Sequence, residues 1–226
     1  MAERRIKAFD SAEYKDGTEQ DLVNALRNGN AYIPELSLVA EENGKIIGYK
    51  FHERSTKMAV FFYGCITLDG YLATKEHGLN WLYDTGSPEE TSCDEFYSHM
   101  DVVLMGRRTF EEIEKTENPA AAYPTTENYV FTHRELACPG FTAVHGSPVE
   151  FVKELGNKRS IWVVGGNTIL APLLDQNMVD YLIVQVAPVL LGAGIPLFTQ
   201  KETLRRYRLE TVRQYGQFAE LVYCRI

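Results

Sequence analysis

Five stretches of the chain are apolar at almost every position: residues 58–66 ("MAVFFYGCI"), 101–105 ("DVVLM"), 128–132 ("NYVFT"), 160–164 ("SIWVV") and 179–191 ("VDYLIVQVAPVLL"). Short, continuous apolar runs of this kind predict strands covered on both faces. Between them the period changes. Cys93, Phe96, Tyr97 and Met100 fall on one face of a helix, and a second helix is expected from about Arg107 to Lys115, after Gly106. In "SPVEFVKELG" Ser147 is placed to cap, Pro148 to occupy the first helical position, Glu150 to close a capping box and Gly156 to stop the helix. Gly165-Gly166 precedes a short apolar helix ending near Leu174, which Pro172 is expected to shorten or kink. The tail alternates around Gly216 as an antiparallel hairpin does. Strands alternating with helices, closed by a hairpin, predict an α/β fold with a mixed sheet.

Residues 1–57 are patterned differently. Thr18 and Asp21 look like a cap and its weak box partner, opening a helix that runs to about Arg27. Asn43-Gly44, between two β-rich runs, is a strong hairpin signal. A helix and a hairpin of this size cannot bury a core alone, so they are expected to pack on residues 58–226 or on a second copy of the chain.

The net charge is −8, which argues against a general nucleic-acid or anionic-membrane surface but leaves room for a local basic pocket. Four scattered cysteines with no CxxC pair, and five dispersed histidines, give no metal or disulfide framework. Reduced, mostly buried thiols in a cytoplasmic protein are expected. No apolar run reaches membrane-spanning length and the N-terminus has no secretory core.

Three strand ends carry the candidate chemistry. In "IWVVGGNTILAPLL" a strand runs into two glycines and a helix start, where close backbone approach and free N–H groups suit a phosphate, though a plain tight turn looks the same. In "VVLMGRRTFEEI" two cations open a helix against its dipole, a conflict that a bound anion would remove. In "YVFTHRE" Thr132, His133 and Arg134 follow a strand end, where ligands of α/β sheets gather. Together these describe a cradle for a molecule with several phosphates. Asp69, in "LDG", is either a catalytic acid or a turn aspartate. Trp81 and Asp84, in "NWLYD", are an aromatic wall with a candidate acid beside it, or a core residue with a surface one.

From residue 58 to 226, about three quarters of the chain, these motifs together with "ITLDGYLA", "LLGAGIPLF" and the final hairpin resemble the dihydrofolate-reductase-like family. The branch is that of the riboflavin-biosynthesis reductase, the C-terminal domain of RibD. The resemblance implies a three-layer fold with a mixed central sheet, to which the N-terminal helix and hairpin are appended, and an NADPH-dependent reductase acting on a small heterocyclic or carbonyl substrate. It implies that Gly106, Arg107 and Thr109 meet the cofactor phosphates and that Thr132 and Arg134 sit near the ribose 2′-phosphate. Gly165, Gly166, Asn167 and Thr168 would hold the pyrophosphate, with a cis peptide bond between the two glycines. Asp69, Trp81 and Asp84 would stand on the catalytic side, although Trp81 and Asp84 are more closely spaced than in the folate enzymes. A homodimer is a further expectation of the family. Residues 22–49 resemble the opening helix and hairpin of a GNAT-type acetyltransferase, without the acetyl-CoA loop that should follow. The competing reading is a reductase fold that binds NADPH, or a partner, without turnover.

Overall fold

A computed structural model describes residues 40–42, 45–48, 58–87, 91–156, 159–199, 201 and 204–226. The chain divides into two units, Met1–Glu53 and Arg54–Ile226. In the first, β1 (Ala40–Glu42) pairs antiparallel with β2 (Lys45–Gly48), Glu42 opposite Lys45, so the hairpin expected around Asn43-Gly44 forms. The helix expected from Thr18 lies outside the described residues, as does the rest of the acetyltransferase-like segment.

The second unit opens with β3 (Ala59–Thr67), β4 (Tyr71–Ala73), α1 (Asn80–Tyr83) and α2 (Cys93–Tyr97). Then come β5 (Val102–Gly106), α3 (Arg107–Ile113), β6 (Glu127–Phe131), β7 (Phe141–Val144) and α4 (Pro148–Glu154). It closes with β8 (Ser160–Gly165), α5 (Asn167–Asp175), β9 (Tyr181–Ala187), β10 (Ile195–Pro196), β11 (Tyr207–Tyr215) and β12 (Phe218–Arg225). Among the described residues the main sheet has eight strands in the order β11-β12-β9-β3-β8-β5-β6-β7. The strands from β9 to β7 are parallel to their neighbours, and β12 runs antiparallel between β9 and β11. The sheet is therefore mixed, as the alternation and terminal hairpin predict.

Each face of the sheet is covered. On one, Val60, Phe62, Leu104, Ile161 and Val184 pack beneath α4 and α5, which contribute Val152, Leu170 and Leu173. The opposite face is aromatic: Phe96 of α2 stacks on Tyr63 at 4.9 Å and meets Trp162 edge-on at 5.3 Å, and Phe110 of α3 meets Phe141 at 4.9 Å. Phe62, Phe96 and Phe110 are fully buried, and each contributes roughly 2–3 kcal/mol by removal of its side chain from water. This three-layer packing explains why the parallel strands are apolar without alternation.

Several local expectations change. The helix expected through Met100 closes at Tyr97, although Met100 stays buried. Ser147 accepts from Val149 N–H at 3.2 Å as a cap, but Glu150 accepts from Lys153 Nζ instead of closing the box. Pro172 does not end its helix, which continues to Asp175. The four cysteines are free and half-buried, more open than expected. Among the described residues no helix is long and apolar enough to cross a membrane.

Candidate active site

The carboxyl ends of the parallel strands lie along one edge of the sheet, and chain order reverses on either side of β3, whose neighbours are β9 and β8. Loops leaving opposite faces there open a crevice. The three motifs meet at this edge because β8, β5 and β6 are consecutive strands.

At the end of β8 the Gly165-Gly166 peptide bond is cis, and Gly165 has φ of 146°, which favours glycine. A Cβ at Gly165 would lie 3.6 Å from Thr109 Oγ1, and one at Gly106 would lie 3.5 Å from Ile169 Cγ1 and 3.8 Å from Gly166 N. The two strand–helix junctions are thus in contact. A Cβ on Gly166 would meet nothing within 4 Å, so its face is open to a ligand. Beside it α5 presents the first N–H groups of a nine-residue helix, which have no partner within the helix and attract anions. These residues fit a pyrophosphate. Thr168 is exposed at this end. Asn167 departs from expectation: its Nδ2 donates to the carbonyl of Pro196 at 3.1 Å, so the side chain is engaged with β10.

A cavity of about 330 Å³ opens next to the junctions, lined by Arg107, Arg108, Glu111, Phe131, Thr132, His133 and Arg134. The two helix-opening cations resolve their conflict without an anion. Arg107 pairs with Glu111 at 3.2 Å and Glu114 at 2.9 Å and lies over the Phe110 ring, and Arg108 reaches Glu111 at 3.5 Å. Arg134 is different: it is exposed and, among the described residues, has no carboxylate partner. Thr132 is buried and accepts the Arg134 N–H at 3.0 Å, which fixes the turn that presents the guanidinium. His133 stacks on His145 at 6.2 Å beside it.

On the other side of β3, Trp81 packs with Ala187 and Phe218, against Cys65, Leu82, Val189 and Leu191. Its indole Nε1 is buried and has no hydrogen-bond acceptor among the described residues. Burial pushes the Cys65 thiol up to about 12 against smaller opposing effects of backbone hydrogen bonds. Asp84 closes α1 and its side chain is exposed. Asp69 is held as an acceptor: from Thr67 Oγ1 at 2.5 Å, from Gly192 N–H at 2.7 Å and from Leu191 N–H at 3.1 Å. The Thr67 hydroxyl foremost, then the Gly192 and Leu191 amides, hold its carboxyl below the ordinary value. Such an ionised carboxylate suits a turn and loop anchor, not a proton donor.

One polar cluster escaped sequence reasoning. Glu220 is 1% exposed and accepts from Ser92 Oγ at 2.6 Å and Gln185 Nε2 at 3.1 Å, with the Tyr63 hydroxyl at 3.4 Å. Its signal was present: Phe218, Glu220 and Val222 share one side of a period-two strand, so the carboxylate points inward with its apolar neighbours. Among the described residues no group of His, Cys, Asp and Glu is gathered for a metal ion.

The family model described as the RibD C-terminal domain matches residues 59–219. An uncharacterized protein of Bacillus subtilis (strain 168), YwjB, is 29% identical over 167 residues, covering 72% of this chain and 95% of that protein. A putative riboflavin biosynthesis protein from Shewanella sp. PV-4 superposes with a TM-score of 0.64 at 23% identity, over 75% of this chain and 99% of its own. Dihydrofolate reductase from Enterococcus faecalis, in complex with NADP(H), superposes with a TM-score of 0.53 at 14% identity, over 74% of this chain and 96% of its own. The fold is thus that of the dihydrofolate-reductase-like proteins.

Proposed function

Because the chain belongs to the RibD C-terminal domain family, we propose that it is an NADPH-dependent reductase acting on a small heterocyclic or carbonyl compound. The nearest analogy is the reduction of 5-amino-6-(5-phosphoribosylamino)uracil in riboflavin synthesis. The observation that carries this reading is the junction of the two strand ends, where an open cis Gly165-Gly166 turn lies beside the cavity of Arg134. A dinucleotide with a 2′-phosphate offers anions to both.

The bound nicotinamide would supply the hydride. The protein's part is orientation. The backbone at Gly106, Gly165 and Gly166 and the N-terminus of α5 hold the pyrophosphate, and Arg134, set by Thr132, pairs with the 2′-phosphate. Thr109 lines the junction, and Arg107 supports it through its own ion pairs. Trp81 gives the substrate side of the site an aromatic wall. The protein is proposed to work in the cytoplasm, with a homodimer as its assembly.

The test is calorimetric titration with NADPH and NADH, for wild type and Arg134→Ala. NADPH should bind more tightly than NADH, and the variant should lose about tenfold or more of NADPH affinity while NADH is little changed. No binding of either dinucleotide to the wild type would refute the reading.

One observation favours a second reading, a cofactor-binding or interaction protein without turnover: Asp69 is committed to a loop and Asp84 is exposed, so neither carboxyl is poised beside Trp81. NADPH binding with no oxidation across a panel of pyrimidine, pterin and carbonyl substrates would favour it.

A further inference from the structure

The loop from Val189 to Leu197 behaves as a strap between the two halves of the site. Its first residues, Val189 and Leu191, pack on the Trp81 cluster. It then follows the segment after β3: the Leu68 N–H donates to Val189 O at 2.9 Å, the Leu191 and Gly192 N–H groups to Asp69, and the Leu197 N–H to Gly70 O at 3.0 Å. At its far end Pro196 accepts from the side chain of Asn167, the first residue of α5, directly after the glycine turn. The strap thus touches the Trp81 cluster with one end and the glycine turn with the other. The tethers at Asp69 and Asn167 are exposed hydrogen bonds, individually weak, while Ile195 and Pro196 pair with β4 and Leu197 is buried, so it is the stretch of Leu191 and Gly192 that can shift its balance when a ligand arrives.

Resting on the reading that the glycine turn holds dinucleotide phosphates, we propose that Asn167 is a positioning residue that couples the turn to the strap, so that filling the turn fixes the strap against the Trp81 cluster. A phosphate seated on the backbone of Gly166 and Asn167 immobilises the start of α5. The Asn167 amide carries that order to Pro196, and the strap carries it to Leu191. By linkage, a substrate that orders the strap must raise cofactor affinity by the same factor.

Amide hydrogen exchange on the full chain tests this. In the free protein, Asn167→Ala should speed exchange at Leu191 and Gly192 at least fivefold while strand amides such as Ile183 keep their rates. Asn167→Asp, which keeps the shape and favours a helix start but cannot donate, should do the same. Saturating NADPH should slow exchange at Leu191 and Gly192 in the wild type, and this response should vanish in Asn167→Ala. Unchanged strap exchange in both free variants would overturn the proposal, as would full strap protection by NADPH bound to Asn167→Ala. Failure of NADPH to bind the wild type would instead refute the functional reading, and the free-protein comparison would still decide the role of Asn167.

Discussion

Ser92 Oγ donates to Glu220 Oε2 at 2.6 Å, joining the segment before α2 to the strand β12 near the end of the chain. Gln185 and Tyr63 complete the cluster, and no cation is among its partners in the described residues. Replacing Glu220 with Leu leaves these buried donors without their acceptor, each at about 1–3 kcal/mol, partly offset where they bond one another. Glu220→Leu should lose roughly 3 kcal/mol in urea unfolding, and Glu220→Gln, which keeps an acceptor oxygen, should lose less.

Asp69 gives the strap a dependence on pH. Its folded carboxyl lies below the unfolded value of about 3.9, chiefly through the Thr67 hydroxyl and then the Gly192 and Leu191 amides. The tether is therefore fully present above about pH 4 and is lost as pH falls through the lower folded value. The amide proton shift of Gly192, followed by NMR down the acid range, should titrate in the wild type and stay flat in Asp69→Asn.

The thiols of Cys65 and Cys93 should resist alkylation in the native protein. Burial raises Cys65 to about 12, and burial with the neighbouring Asp94 and Glu220 carboxylates raises Cys93 to about 11. At pH 8 only about 10⁻⁴ to 10⁻³ of such thiols are ionised, and the thiolate is the nucleophile. Mass spectrometry after iodoacetamide at pH 8 should show both unmodified until denaturant is added.

Gly194 lies where β10 turns in beside β4. A Cβ there would fall 2.3 Å from the carbonyl oxygen of Ala73 and 3.1 Å from the Tyr71 ring. The first of these atoms is backbone and cannot swing away. Gly194→Ala should cost about 1–3 kcal/mol or lift the strap from β4, and limited proteolysis should then cut between Val189 and Leu197 in the variant before the wild type.

The parts of this fold legible in the sequence are those whose burial is complete. β5 is buried at each of its five residues, so its apolar run needs no partner to be recognised. β7 escaped because "FTAV" is four residues long, half-exposed and at the sheet edge, and its strand character comes from pairing with β6. The site divides in the same way. The glycine pair and the turn of Thr132 and Arg134 were legible because local motifs build them, whereas the cis bond between the glycines was expected only from the family resemblance. The engagement of Asn167 with Pro196, and of Asp69 with Gly192, spans long sequence separations and depends on where β10 docks. A side chain's residue type cannot reveal that an amide expected to face a phosphate is already bonded to a carbonyl.

The placing of β3 between β9 and β8 has a consequence during synthesis. Ala59 pairs with Ser160, and Phe61 with Tyr181, so the central strand leaves the ribosome about a hundred residues before the neighbours that cover it. Until then "AVFFYGCI" is an aromatic, uncharged segment with both edges bare, the kind that pairs with other chains. Yield of soluble protein in cells should therefore depend on elongation through residues 160–187 and on holdase chaperones engaging the nascent chain.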